Sequence, residues 1–465
     1  MVGQKEGKEA RAEIELGPDG DGPAAHGGAA SRTRLALLPA LCGLMLLVPG
    51  IALAQESPHK NMVGRRVVQR SNDFTLRIED RVVDRHRVIH FYRVEQVNGP
   101  WLWVRSEGNG FSGWARAEDV IPIDEGMDFF SERIRQNPKD AFAYVMRAML
   151  WQDRSEVDRA LQDYDAVLRL DPSEGWIYNN RGILHFEQKN FEKAVEDFNK
   201  AIELEPNVAN LYNNRGNARR GRHLHDLAIA DFTDAIRLDS TYIYAYYDRG
   251  LTWSDKKDYD RAIADFNQVI RLDPKDVLAY YHRGLAWAAK HEYDSAIEDF
   301  DHAVALNSKL SFVYTDRGLA WAARKDYTKA IADFSTSIKM SPHRSRSYHN
   351  RALAYIELKM FDKALADFDA AIRVNPEFDE AYLRRAWLLA SCPNVRLRDP
   401  KKAVESATKA CELTHWHEAH DVGGLAAVCA EAGQVAEALK WHSKAIELMT
   451  HNTHEDDEMF ALGHP

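Results

Sequence analysis

Cysteine is scarce: the 465 residues contain 4, and one of them, Cys42, lies in an N-terminal apolar run. The other three, Cys392, Cys411 and Cys429, are an odd set near the far end, which excludes a disulfide-built scaffold. Two of them sit at helical spacing within apolar faces, where free cysteine usually serves as a small core residue. Charge of neither sign dominates: the formal balance is -10, with no polybasic block and no long acidic tail, so no nucleic-acid partner is expected. No apolar run reaches the roughly 20 residues that a membrane-spanning helix needs. Phosphate-binding glycine loops, nucleophile elbows and metalloprotease helices are missing as well. The chain therefore reads as a non-enzymatic protein with no catalytic residues and no cofactor.

What it has in abundance is repetition. A small residue recurs every 34 positions at Ala148, Gly182, Gly216, Gly250, Gly284, Gly318, Ala352 and Ala386. In phase with it run Ala160, Ala194, Ala228, Ala262, Ala296, Ala330 and Ala364, then Tyr164, Phe198, Phe232, Phe266, Phe300, Phe334 and Phe368. Pro138, Pro172, Pro206, Pro274, Pro342 and Pro376 close most units. A fixed period of this length means stacked supersecondary units, not one compact core. Within 246–274, Tyr246, Gly250 and Trp253 share one helical face, and Tyr259, Ala262, Ile263, Phe266 and Ile270 share another. Gly250 and Ala262 allow close helix approach, Phe266 fills the seam, and Asp273-Pro274 ends the unit.

These combs resemble the tetratricopeptide repeat family. The resemblance implies an α-solenoid, a right-handed superhelix of helix pairs, whose groove of first helices binds a protein or peptide. It places the solenoid at 139–449, about nine units, after a lone second-type helix at 125–138. The last unit, from Ala419 to Met449, is degenerate and reads as a cap; 450–465 reads as a disordered tail. The groove residues it implies are Trp176, Asn179, Asn213, Asn217, Tyr244, Tyr247, Tyr281 and Phe312, with packing between first helices as the alternative role. Such a neutral, aromatic set suits a peptide with apolar anchors.

Two further combs are charged. Arg147, Arg181, Arg215, Arg249, Arg283, Arg317, Arg351 and Arg385 precede the small residues, and Asp163, Asp197, Asp231, Asp265, Asp299, Asp333 and Asp367 precede the aromatics. Pairing is open within a unit or from each Asp to the next unit's Arg. The array end favours the second, since Arg385 has Ser406 and no Asp in its own unit. Seven inter-unit rungs, Asp163–Arg181 to Asp367–Arg385, are therefore expected, leaving Arg147 with Asp128 or solvent. Bidentate pairing of this kind leaves no anion-binding Arg stripe.

Upstream, alternating patterns at 67–68, 74–78, 88–94, 101–104 and 111–115 predict five short strands, with Asn98-Gly99 as a hairpin turn. The stretch Gly113-Trp114-Ala115-Arg116-Ala117-Glu118-Asp119-Val120 resembles the close of bacterial SH3-like domains, implying a small β-barrel at 60–123. Trp101 and Trp103, with Trp114, either line a ligand groove or fill its core. The resemblance makes cell-wall binding an alternative function.

Residues 1–34 read as disordered. Arg32 and Arg34, the apolar run 35–48 and Ala52-Leu53-Ala54 have the order of a secretory signal cleaved after Ala54. Export to the periplasm or cell envelope is expected, with an uncleaved membrane anchor or a cytosolic protein as alternatives. A last alternative is a metal site or metal-dependent enzyme at His415–His420, where His417 and His420 are three apart and Cys411 is one turn upstream. No second ligand pair supports it, so no metal is expected.

Overall fold

The computed structural model describes residues 60–78, 81–84, 91–107 and 111–461. The proposed signal, Val88–His90 of the third expected strand and the final four residues lie outside them. The described residues are mainly helical, with helix pairs succeeding one another along the chain, preceded by a small antiparallel sheet. They divide into two compact units at Ala245/Tyr246.

The first unit opens with seven short strands: β1 (Arg66–Gln69), β2 (Leu76–Ile78), β3 (Arg81–Asp84), β4 (Tyr92–Asn98), β5 (Trp101–Ser106), β6 (Ser112–Arg116) and β7 (Val120–Pro122). Their order is β3-β2-β6-β5-β4-β1-β7. Two of them, β3 and β7, exceed the five expected: Val82-Val83 is enclosed by charged residues, and Val120-Ile121 runs straight into Pro122. The β4–β5 turn falls one position later than expected. Asn98 pairs with Trp101, leaving Gly99 and Pro100 between the strands, and Gly99 takes the positive φ of 57°.

Helix α1 (Ile123–Gln136) packs its Met127, Phe130 and Ile134 between the sheet, at Val68 and Ile121, and Ala143, Met146 and Leu150 of the next helix. Helix pairs follow: α2 (Ala141–Asp153) with α3 (Val157–Leu170), α4 (Gly175–Glu187) with α5 (Phe191–Leu204), and α6 (Ala209–Gly221) with α7 (His225–Leu238). Helix α8 (Ile243–Asp255) contains the division between the units.

The second unit continues the pattern with α9 (Tyr259–Leu272), α10 (Val277–Ala289), α11 (Tyr293–Leu306), α12 (Ser311–Ala323), α13 (Tyr327–Met340), α14 (Ser345–Glu357) and α15 (Phe361–Val374). It ends with α16 (Asp379–Ser391), α17 (Pro400–Leu413), α18 (Ala419–Glu431) and α19 (Val435–Ala461). Helix α19 runs past Met449, where a disordered tail was expected, because no Gly or Pro interrupts the sequence before Gly463.

The combs act as their chemistry requires. A Cβ at Gly284 would lie 2.8 Å from Phe300 Cε1, so only a small residue admits the ring. Aspartates cap several helix starts: Asp258 accepts from Arg261 N at 3.2 Å and Asp276 from Ala279 N at 2.9 Å. Each tight intrapair turn needs one left-handed residue, and non-glycine residues supply it at Ser155, Lys189, His223, Lys257, His291, Lys325 and Lys359.

Candidate functional site

The charge ladder exists, but its pairing corrects the expected one. Every Arg of the comb but Arg385 forks onto the Asp 16 residues later, in its own helix pair. Arg283 donates from Nε to Asp299 Oδ2 at 2.8 Å and from Nη2 to Oδ1 at 2.5 Å. Arg147 holds Asp163, Arg181 holds Asp197, Arg215 holds Asp231, Arg249 holds Asp265, Arg317 holds Asp333 and Arg351 holds Asp367 in the same way. Arg147 is thus neither with Asp128 nor in solvent. The cause is the seam itself: Arg and Asp immediately precede the two residues that touch, the glycine and the phenylalanine, so the crossing brings them together.

The Nη1 donor makes the link to the preceding pair, 16 residues back. Arg181 reaches Asp165 at 2.6 Å, Arg215 reaches Asn199 at 2.8 Å, Arg283 reaches Asn267 at 2.5 Å and Arg351 reaches Ser335 Oγ at 2.9 Å. Arg385 retains this backward contact, with Asp369 at 3.4 Å. Ser406 donates to Tyr382 O at 2.8 Å. The array end therefore spoke for the inter-pair contact but named the wrong Asp.

A comb absent from the sequence reading completes the rung. Tyr280 lies under Arg283 at 5.5 Å and Tyr314 under Arg317 at 5.3 Å. Tyr144, Tyr178, Tyr212, Tyr246 and Tyr348 do the same under their own arginines. Their own 34-residue period was the available signal. Burial pushes the Asp231, Asp265 and Asp299 carboxyls up against the pull of their arginines, and hydrogen bonding by Asp299 raises Arg283. The rungs are structural.

The expected groove residues divide. Trp176, Asn179, Asn217 and Tyr244 are half-buried; Trp176 Nε1 donates to Glu174 at 2.9 Å, and Asn179 Oδ1 accepts from Asn214 at 2.9 Å. Asn213, Tyr247, Tyr281 and Phe312 are buried, which corrects their placement on a ligand-facing surface. The position three before the small residue faces the next first helix. Tyr281, 1% exposed, meets Phe312 edge-on at 4.8 Å, and its hydroxyl donates to Asp316 at 2.7 Å. His349, at the same register, packs edge-on against Phe378 at 5.2 Å. Burial raises the Asp316 carboxyl to about 6, opposed by Tyr281, Arg344 and Arg346.

The accessible surface is lined instead by the residue just after the small one. In the second unit Leu319, Leu353 and Trp387, from α12, α14 and α16, border a cavity of about 500 Å³. Ala322, Ile356 and Phe361 also line it, with Glu357, Arg384 and Pro393. Leu319 and Trp387 are 42% and 38% exposed. The comb Leu251, Leu285, Leu319, Leu353, Trp387 was visible in the sequence; what it lacked was any indication of which members stay uncovered.

In the sheet, Leu102, Val104 and Ala115 fill the core, so Trp101, Trp103 and Trp114 project from the other face of β5 and β6. Trp103 and Trp114 are paired across the strands at 5.3 Å, edge to face, and Arg116 lies over Trp101 at 5.5 Å. At the other end, His415, His417 and His420 are exposed while Cys411 is in the core, its thiol pushed up to about 12 by burial. Among the described residues no three His, Cys, Asp or Glu side chains gather as a metal-binding group. No described helix is long and apolar enough to cross a membrane.

Tetratricopeptide repeat models match residues 175–208 and 345–378, and a second model of the same description matches 247–310. No curated protein matches the chain. Among solved structures, MamA is 25% identical over 36% of this chain and 96% of its own, with a TM-score of 0.34. YrrB, a tetratricopeptide protein with an unusual peptide-binding site, is 26% identical over 42% and 97%, with a TM-score of 0.35. A tetratricopeptide repeat protein from Parabacteroides merdae is 17% identical over 52% and 95%, with a TM-score of 0.43. The small β region ahead of the helices is compatible with an SH3-like domain. The helix pairs within 175–208, 247–310 and 345–378 match the tetratricopeptide repeat, and the same 34-residue period runs on through the pairs between them.

Proposed function

We propose that this protein is a non-enzymatic interaction scaffold that holds a protein or peptide segment in the apolar groove of its second unit. One observation carries the reading: three successive first helices leave Leu319, Leu353 and Trp387 lining a single cavity. Its volume of about 500 Å³ suits two or three apolar side chains presented at helical or extended spacing. The rim supplies both signs, Glu357 and Arg384, so a polar flank on the partner is oriented without a demand for net charge. The basic, apolar and small-residue order of 32–54 supports export, and the scaffold is assigned to the bacterial periplasm or cell envelope.

The test is photo-cross-linking in the native cell from position 353 and, as a control, from position 176, with subcellular fractionation alongside. A defined set of envelope proteins captured from 353, and lost in Trp387→Ala, is the expected result. Equal capture from both positions would remove the groove, and recovery in the cytosol with residues 1–54 intact would remove the export reading.

A second reading has its own observation. Trp101, Trp103 and Trp114 share the outer face of the sheet, and Arg116 flanks them. Aromatic faces beside hydrogen-bonding side chains suit a cell-wall ligand. Sedimentation with isolated wall, reduced in Trp101→Ala/Trp103→Ala, is what this reading requires.

A further inference from the structure

One joint of the second unit is held differently from its neighbours, the one between the pair α12/α13 and the pair α14/α15. At the joint before it, Tyr281 and Val313 of the first helices and Ala303 of α11 are buried in one apolar cluster. Their counterparts 34 residues on are Thr315, Ser347 and Ser337. These three side chains are 5%, 0% and 0% exposed, and their hydroxyls bond one another in a triangle. Thr315 Oγ1 lies 2.8 Å from Ser337 Oγ and 3.1 Å from Ser347 Oγ, and the two serine oxygens are 3.0 Å apart. At the joint after it the set is His349, Ala371 and Ala381, all buried.

The outer ties change at the same place. Asp260 of α9 pairs with Lys290 at the end of α10, and Asp294 of α11 pairs with Arg324 at the end of α12. The next members of these series are Thr328 and Leu358, which cannot form an ion pair, and Leu358 stands 40% exposed. One joint further on, Cys392 takes that position and is buried in the Phe368 cluster. The backward rung weakens in step. On either side Arg317 and Arg385 reach carboxylates, Asp301 and Asp369, whereas Arg351 reaches the Ser335 hydroxyl. Tyr327 and the exposed Glu357 add a hydrogen bond across the rim, where water competes with it. Inside, the cluster of Ala330 and Phe334 receives one member from α14, Ala354. The cavity of about 500 Å³ borders this joint from both sides, at Leu319 and Phe334 before it and at Leu353 and Ala354 after it.

We propose that the second unit bends at this joint, with α9–α13 as one arm and α14 onward as the other. Bending here exposes hydroxyls that exchange one another for water with little net loss. The neighbouring joints would instead expose apolar side chains and break ion pairs. Opening is drawn to the interface with the fewest buried apolar contacts. The bend passes between Leu319 and Leu353, so it sets the width of the cavity and lets it close on a bound segment. That consequence rests on the function proposed above; the bend itself does not.

Double electron–electron resonance on the full, ligand-free chain tests the bend. Glu298, Ala332 and Ala366 are exposed equivalents on α11, α13 and α15. Spin labels at 332 and 366 span the joint, and labels at 298 and 332 span the one before it. Cys42→Ser leaves the introduced thiols as the labelling sites, since Cys392, Cys411 and Cys429 are buried. The 332–366 distance distribution should be about twice as broad as the 298–332 one, and Thr315→Val/Ser337→Ala/Ser347→Ala should narrow it to match. Thr328→Asp/Leu358→Lys, confined to the surface, supplies the missing ion pair and should narrow it as well, which keeps the test open if the core variant fails to fold. No ligand enters this measurement, so cross-linking from position 353 decides the groove separately. Equal widths in the parent chain, or a broad distribution that neither replacement narrows, would overturn the proposal.

Discussion

At the scale of single residues, the ladder is one guanidinium dividing its donors between two helix pairs. Nε and Nη2 of Arg283 fork onto Asp299, while Nη1 crosses back to Asn267. Asp299 is 2% exposed, so removing either partner strands a buried charge, which costs about 3–5 kcal/mol. The pairing itself is open to a double-mutant cycle. Arg283→Ala and Asp299→Ala should couple by at least about 1.5 kcal/mol in urea unfolding, whereas Arg317→Ala and Asp299→Ala should add to within about 0.5 kcal/mol. The reverse pattern would restore the inter-pair rungs. The sequence offers both partners at fixed offsets, 16 residues after each Arg and 18 before it, and periodicity cannot choose between them. The choice is made by the Gly–Phe crossing, which is a property of packed helices.

At the scale of elements, each tight turn within a pair, unlike the longer α16–α17 connection, contains a residue at positive φ. Lysine or histidine fills it in most pairs, but Gly433 takes it between α18 and α19, at 75°. Nothing lies within 4 Å of a Cβ placed on Gly433, so Gly433→Ala isolates the backbone cost, about 1–2 kcal/mol in the left-handed region. Lys359→Gly, at φ 58°, should run the other way and stabilise by about 0.5–1 kcal/mol, the strain relieved exceeding the entropy lost. Thermal melts of the two variants moving in the same direction would contradict this account. The helices were legible in sequence because each repeats one packing solution. Strands β3 and β7 were not, since Val82-Val83 stands among charged residues and Val120-Ile121 is closed at once by Pro122, which leaves two apolar residues and no alternation in either. The groove was half legible: its helices followed from the combs, but the exposure of Leu319 and the burial of Tyr281 depend on what the neighbouring first helix covers.

At the scale of the whole molecule, a repeat array draws its stability from each unit and from the interfaces between neighbours. Among the described residues the buried apolar side chains fall into separate clusters along the chain, such as those centred on Tyr164, on Phe300 and on Phe368. A rung broken in one place should therefore loosen its own pair and the pairs beside it, and leave distant ones unaltered. Asp299→Ala supplies the test by native-state hydrogen exchange. Backbone amides of α10, α11 and α12 should exchange faster, because Arg283 loses its fork and the Phe300 seam loses its flank. Amides of α2 to α5, three or more pairs away along the chain, should keep their protection. A uniform loss of protection across both sets would mean that the array opens as one cooperative body, and the nearest-neighbour description would have to be abandoned. Local opening has a consequence for the proposed groove as well. Leu319, Leu353 and Trp387 sit on three different helix pairs, so a ligand that touches all three stabilises the two interfaces between them. Its binding should raise protection in α12 to α16 and leave α2 to α5 unaltered.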